Sequence, residues 1–196
     1  MIEESADVSA QALVDPSAKI WHLAQVREHA EIGPNCIIGR GAYIGTGVTV
    51  GANSKIQNHA MLYDPATIAE GVFVGPGVIF TNDRHPRAIN PDKTIKSASD
   101  WDPVGVHVET GASIGAGAIC IAPITIGAWA LVAAGSVVTR SVRPHALVAG
   151  SPARQIGWVG YTGAKLEVIS GVTNEWVCSQ TGDTFRKTES GDLLRT

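Results

Sequence analysis

The side chains best suited to chemistry are concentrated in one segment, Thr81–Gly105. It reads TNDRHPRAINPDKTIKSASDWDPVG and holds Asn82, Arg84, His85, Arg87 and Trp101. Histidine changes charge near neutral pH, so His85 is a candidate proton acceptor. Asn82, three residues earlier, can both donate and accept hydrogen bonds. The planar fork of Arg87 suits a carboxylate or a pyrophosphate, because it holds two oxygens at once. Elsewhere Gln57, Asn58 and His59 set two amides beside an imidazole, and Trp21-His22 sets an indole beside another. Arg140 and Arg154 add cations near the end of the chain. Of the six histidines, no two form an HxxxxH pair, so a metal centre of three convergent histidines is not expected. His29, His107 and His145 read as surface or turn residues.

Such groups act together only if something stacks them, and the sequence supplies a repeat. From Val14 to Phe80 every sixth residue is apolar: Val14, Ile20, Val26, Ile32, Ile38, Ile44, Val50, Ile56, Leu62, Ile68, Val74 and Phe80. A period of six fits neither an α-helix nor a heptad and points to a hexapeptide β-helix. Each hexad is a short strand and a tight turn, and three hexads close one triangular coil. The aliphatic residue points inward, with like positions stacked about 4.8 Å apart. Two residues before each aliphatic the side chain is small or slim, from Ala12 through Cys36 and Ser54 to Val78, as an inside corner requires. Gly33, Gly39, Gly45 and Gly51 directly follow an aliphatic, as do Gly115 and Gly127. There the turn is predicted to need unusual backbone angles. The pattern resumes in a new phase at Val108, Ile114, Cys120, Ile126, Val132 and Val138, for about six coils in all.

The fold class is therefore all-β: a parallel β-helix over residues 1–158, a long loop inserted at 81–107, and a C-terminal extension over 159–196. A long loop with no period of its own is usually functional. Pro144 and Pro152 interrupt Ser141–Trp158, which is predicted to finish a last turn and then form a short helical cap. In the extension, Glu175–Cys178 and Thr184–Lys187 flank a hairpin turn at 179–183. Its single cysteine argues against a zinc ribbon. Cys36 and Cys120 fall on interior positions and read as core. The net charge is −3 with no basic tract, which argues against nucleic acid or an anionic membrane as partner. The acidic start Met1–Asp7 is unlike a signal peptide, no apolar run is long enough to span a bilayer, and the expected compartment is cytoplasmic.

Several segments carry a resemblance: IWH at Ile20–His22, KIQNH at Lys55–His59, YD at Tyr63–Asp64, GVFVGP at Gly71–Pro76, FTNDRHPRA at Phe80–Ala88 and GSPARQIGW at Gly150–Trp158. Together they resemble the left-handed β-helix N-acetyltransferases that act on nucleotide-linked 3-amino sugars in cell-surface polysaccharide synthesis. The UDP-2-acetamido-3-amino-2,3-dideoxyglucuronate enzymes match best, and the dTDP-3-amino-3,6-dideoxyhexose enzymes follow. The resemblance implies the left hand of the coil, a homotrimer, acetyl-CoA as co-substrate and no metal. Three positions depart from the family pattern, which carries asparagine where this chain has His59, Pro65 and His85. All three fall on the sugar side of the implied site.

The resemblance also assigns roles. Asn82 would orient the sugar amine, with His85 beside it as the candidate base. Trp21, His22, Gln57, Asn58, His59, Tyr63 and Arg87 would hold the nucleotide sugar. Small residues at Ala133, Ala134 and Gly135 would let the pantetheine arm of acetyl-CoA approach the backbone, and Arg140 and Arg154 would meet its phosphates. Val106, Ile121 and Trp129 are expected to face neighbouring subunits. A non-catalytic sugar-binding trimer is the competing class, and it predicts no affinity for acetyl-CoA.

Overall fold

A computed structural model describes residues 1–196 as a triangular prism of short parallel strands followed by a small antiparallel sheet. Most prism strands are two residues long, one side chain out and one in. The first face stacks Lys19–Ile20, Ile37–Ile38, Lys55–Ile56, Phe73–Val74, Ser113–Ile114, Leu131–Val132 and Ala146–Gly150. The second stacks Asp7–Val8, Gln25–Val26, Tyr43–Ile44, Met61–Leu62, Ile79–Phe80, Ile119–Cys120 and Val137–Val138. The third runs from Leu13–Val14 to Ile124–Ile126. The inward residues Ile20, Ile38, Ile44, Ile56 and Leu62 are all 0% exposed, so the predicted series is the core. The coil also extends before the apolar series that begins at Val14: Val8 pairs with Val26, and Ile2 bridges Ile20. With β-structure continuing to Gly150, six complete coils are flanked by partial ones at both ends.

The glycines act differently from the expectation. Where a prism turn has a positive-φ residue it is the third, such as Gly41 (+62°), Gly77 (+66°) and Gly135 (+70°), and not the one directly after the aliphatic. Gly39 and Gly51 are needed because the next coil passes too close. A Cβ on Gly39 would lie 2.5 Å from the Asn58 nitrogen, and one on Gly51 2.6 Å from the Ala69 carbonyl carbon. The inserted loop leaves stacking unbroken, since Val108 pairs with Ile68 and Cys120 with Phe80 across it.

The predicted helical cap is instead a β-hairpin. Ala146–Gly150 turns at Ser151-Pro152 and pairs antiparallel with Ala153–Trp158, because the last sheet edge still offers unpaired backbone groups. Beyond it, Glu167–Val168, Glu175–Val177, Thr184–Lys187 and Leu193–Arg195 form a four-stranded meander. Phe185, Leu193 and Cys178 are buried in one core with the prism's Trp158. His145 joins the two parts. It is 6% exposed, its Nδ1 lies 3.0 Å from the Val159 carbonyl, and it packs against Tyr161 and Phe185. Burial pushes its imidazole below the usual histidine range.

Two interior serines make opposite demands. Ser54 Oγ donates to the Ala69 carbonyl at 3.0 Å and accepts from the Val72 amide at 3.1 Å, whereas Ser136 Oγ is buried with no partner. Ser54→Ala is expected to cost about 1–3 kcal/mol and Ser136→Ala to add about 1 kcal/mol, by denaturant unfolding. Shifts of the same sign in both variants would contradict this assignment.

Candidate functional site

Residues one coil apart become neighbours, and this gathers the predicted groups on the two edges that border the second face. The first edge stacks Trp21-His22-Leu23, Gly39-Arg40-Gly41, Gln57-Asn58-His59, Gly75-Pro76-Gly77, Gly115-Ala116-Gly117 and Ala133-Ala134-Gly135. Backbone bonds tie the turns in sequence: Gly41 to the His22 carbonyl, His59 to Arg40, Gly77 to Asn58, Gly117 to Pro76 and Gly135 to Ala116, at 2.8–3.1 Å. Residues expected to hold a sugar and residues expected to admit pantetheine therefore lie on one continuous line. Asn58 Oδ1 accepts the Arg40 amide at 2.9 Å, and the His59 imidazole lies across Gly41, where a Cβ would meet Nδ1 at 2.6 Å. His22 is already engaged, with Nδ1 3.0 Å from Ser5 Oγ and Nε2 3.5 Å from Glu3.

Tyr63 and the loop belong to the other edge. Tyr63 leans back onto Tyr43, with ring centroids 5.1 Å apart. At the loop neck the Asn82 carbonyl accepts from Val104 at 2.9 Å, while its side-chain amide has no partner in the protein. The His85 amide donates to Asp83 Oδ1 at 2.7 Å, and Asp83 Oδ2 faces Lys96 Nζ at 3.6 Å. Lys96 in turn sits 6.0 Å over the Trp101 ring. Asp100 closes a second turn by accepting from the Ser97 amide and hydroxyl and from Asn90, and the Ser97 bonds hold its carboxyl below the usual range. These ties shape a cavity of about 480 Å³ whose wall includes Asp83, Arg84, His85, Lys96, Trp101 and Asp102. Arg87 is not in that wall; its Nη1 donates to the neighbouring Pro86 carbonyl.

Arg140 and Arg154 come together over the C-terminal end of the prism, in a small cavity shared with Arg143. Arg154 Nη1 donates to its own neighbour's carbonyl, Ala153, and Arg143 Nη1 donates to Ser190. One expected subunit contact is corrected: Val106 is 0% exposed inside its own coil. Trp129 is half-buried and meets Tyr161 of the extension edge-on, with ring centroids 4.9 Å apart. Ile121 remains outward at 39% exposed. His107 faces outward on the third face, its Nδ1 2.7 Å from Thr67 Oγ1. Burial pushes the Cys120 thiol up to about 12, so it cannot serve as a nucleophile. Sequence reasoning missed Arg40 and Arg143. Arg40 was detectable, because it occupies the same hexad position as His22 and Asn58, one coil away from each.

The bacterial transferase hexapeptide (six repeats) family matches residues 12–46, and the hexapeptide repeat of succinyl-transferase matches residues 30–63 and 104–140. The chain carries this repeat on both sides of the loop, and with it the left-handed coil. It is 46% identical over 71 residues to the dTDP-3-amino-3,6-dideoxy-α-D-galactopyranose 3-N-acetyltransferase of Aneurinibacillus thermoaerophilus, covering 36% of this chain and 35% of that protein. Serine acetyltransferase 4 of Arabidopsis thaliana is 32% identical over 117 residues, covering 60% of this chain and 27% of that protein. The chain thus spans about a third or less of the length of these curated relatives. A hexapeptide-repeat acetyltransferase from Vibrio cholerae O1 biovar eltor, solved in complex with acetyl-CoA, superposes with a TM-score of 0.56 at 25% identity, covering 66% of this chain and 70% of that one. These three relatives are acetyltransferases.

Proposed function

We propose that this protein transfers the acetyl group of acetyl-CoA to the 3-amino group of a nucleotide-linked amino sugar, acting in the cytoplasm on a precursor of cell-surface polysaccharide. The observation that carries the reading is the 46% identity to a nucleotide-sugar 3-N-acetyltransferase. The continuous first edge supports it. The motifs favour a UDP-3-amino-glucuronate. The relative favours a dTDP-3-amino-3,6-dideoxyhexose, and so does the loop cavity, whose wall carries Asp83, Asp100 and Asp102 against Arg84 and Lys96. An excess of carboxylates opposes a further carboxylate on the sugar. Incubation with acetyl-CoA and a panel of UDP- and dTDP-linked amino sugars tests the reading, and no acetylation of any member would end it.

The chemistry needs a neutral amine in line with the thioester and a donor for the developing oxyanion. Asn82 has a free side-chain amide at the fixed neck of the loop and is suited to orient the amine. The proton can leave with the CoA sulfur or to water, so a histidine base is not required. The outward residues of the second face, Tyr43, Met61, Ile79, Ile119 and Val137, form an apolar column between the two edges. Packing that column against another copy in a homotrimer would set the first edge of one subunit beside the loop of the next. Sedimentation equilibrium is expected to return a trimer, and a stable monomer at micromolar concentration would remove the shared site.

Arg154→Ala is expected to raise the KM for acetyl-CoA roughly 10- to 150-fold, the cost of one charge-assisted contact, with the sugar KM unchanged. Movement of both constants together would mean that Arg154 only holds the end hairpin. Asn82→Ala is expected to lower turnover strongly at every pH. His85→Asn should stay within about tenfold of the parent and keep the acidic limb of the rate profile, since a true general base is worth about 10²–10⁴-fold. A loss beyond about a hundredfold with a flattened limb would make His85 the base.

A further inference from the structure

Arg40 is the charged residue of the first edge that nothing has yet used. It lies one coil above His22 and one below Asn58, and no carboxylate pairs with its guanidinium. Its own amide is fixed by Asn58 Oδ1 at 2.9 Å, which anchors the base of the side chain. Glycines on both sides leave the edge low around it, and the His59 imidazole fills the space over Gly41. On the adjoining first face, Lys19 and Lys55 flank Ile37 in register, and neither has a carboxylate partner. Three unpaired cations over three successive coils are a local excess in a chain whose net charge is −3. One coil below Arg40 stands Trp21, 40% exposed and free to stack.

An aromatic platform beside uncompensated cations matches a nucleoside diphosphate, with a base for the indole and two phosphates for the forked and point charges. We propose that Arg40, flanked by Lys19 and Lys55, holds the diphosphate of the nucleotide sugar. This rests on the nucleotide-sugar reading above and adds the group that would anchor the nucleotide. It makes nucleotide binding dependent on ionic strength, because exposed cations are screened by salt.

Calorimetric titration of the full chain with UDP, dTDP, uridine, thymidine and CoA tests it, using the parent, Arg40→Met and Arg40→Lys. Arg40→Met should weaken the better of UDP and dTDP roughly tenfold to a hundredfold, the range for a charge-assisted contact. Arg40→Lys should recover part of that loss, while the free nucleosides and CoA bind as in the parent. Added salt should weaken the nucleoside diphosphate more in the parent than in Arg40→Met. Equal diphosphate affinity in parent and Arg40→Met overturns the role of Arg40 and leaves the nucleotide-sugar reading standing. A parent that binds neither diphosphate overturns both. Should Arg40→Met fail to fold, Lys19→Met with Lys55→Met probes the same charge from the adjoining face; unchanged diphosphate affinity and salt dependence there overturns the proposal.

Discussion

Everything in this molecule depends on one packing constraint: a branched aliphatic side chain must sit on the one below it inside a narrow triangular prism. Ile20, Ile38 and Ile56 share a face in strict register, and each is 0% exposed. A one-residue slip would turn an inward position outward, so register is held firmly wherever the interior is dry. The result is a ruler on which residues of adjacent coils are neighbours whatever their chemistry. Because the corner takes only a small residue and the next coil presses on the turn, the chain has freedom mainly at outward positions. Function is therefore written on edges and faces.

That arrangement explains how a chain poor in charge can assemble a site. The prism has no deep cleft, since its walls are flat strands and its interior is filled. The hollows on its bare third face are open and shallow, as between Thr49, Thr67, His107 and Thr125, and a more enclosed one needs something added to a wall. Here the addition is the loop at the second edge, whose ends are fixed by Thr81 and Asn82: the Thr81 hydroxyl accepts from the Ala122 amide at 3.1 Å, and the Asn82 carbonyl from Val104. Its internal ties through Asp83, Lys96 and Asp100 give it shape without a hydrophobic core of its own. Loops with this construction are ordered by polar contacts and stay open to ligands.

The inward series was legible in the sequence because burial leaves a periodic trace, and the strands appeared where the period placed them. Other features left weaker traces. The role of Gly39 differs from the expectation because sequence shows that a glycine is required but not whether conformation or clearance requires it; here the Asn58 backbone sets the limit. The end hairpin differs from the helical expectation because Pro152 reads as a break, whereas the exposed sheet edge decides the outcome by offering bonds to Ala153–Trp158. Trp129 has a neighbour that the repeat does not announce, because Tyr161 lies in the segment with no repeat. Arg40 leaves no trace of its own since no motif contains it, and only the coil repeat puts it between His22 and Asn58.

The extension bears on why the repeat can end where it does. A stack of coils exposes its last layer unless something covers it. At the C-terminal end Trp158 and His145 are buried at the boundary, and Phe185 and Leu193 arrive from the meander to pack with them. His145 stays neutral there at ordinary pH, because burial opposes its charge, and that lets an aromatic cluster close around it. As the pH falls below about 6.5, the unfolded chain gains a proton that the folded one resists, so this seam weakens on acidification. Arg140 and Arg154 flank the same end. The seam that completes the core thus also fixes the hairpin that carries Arg154, and it ties the cation cluster to the folding of the extension.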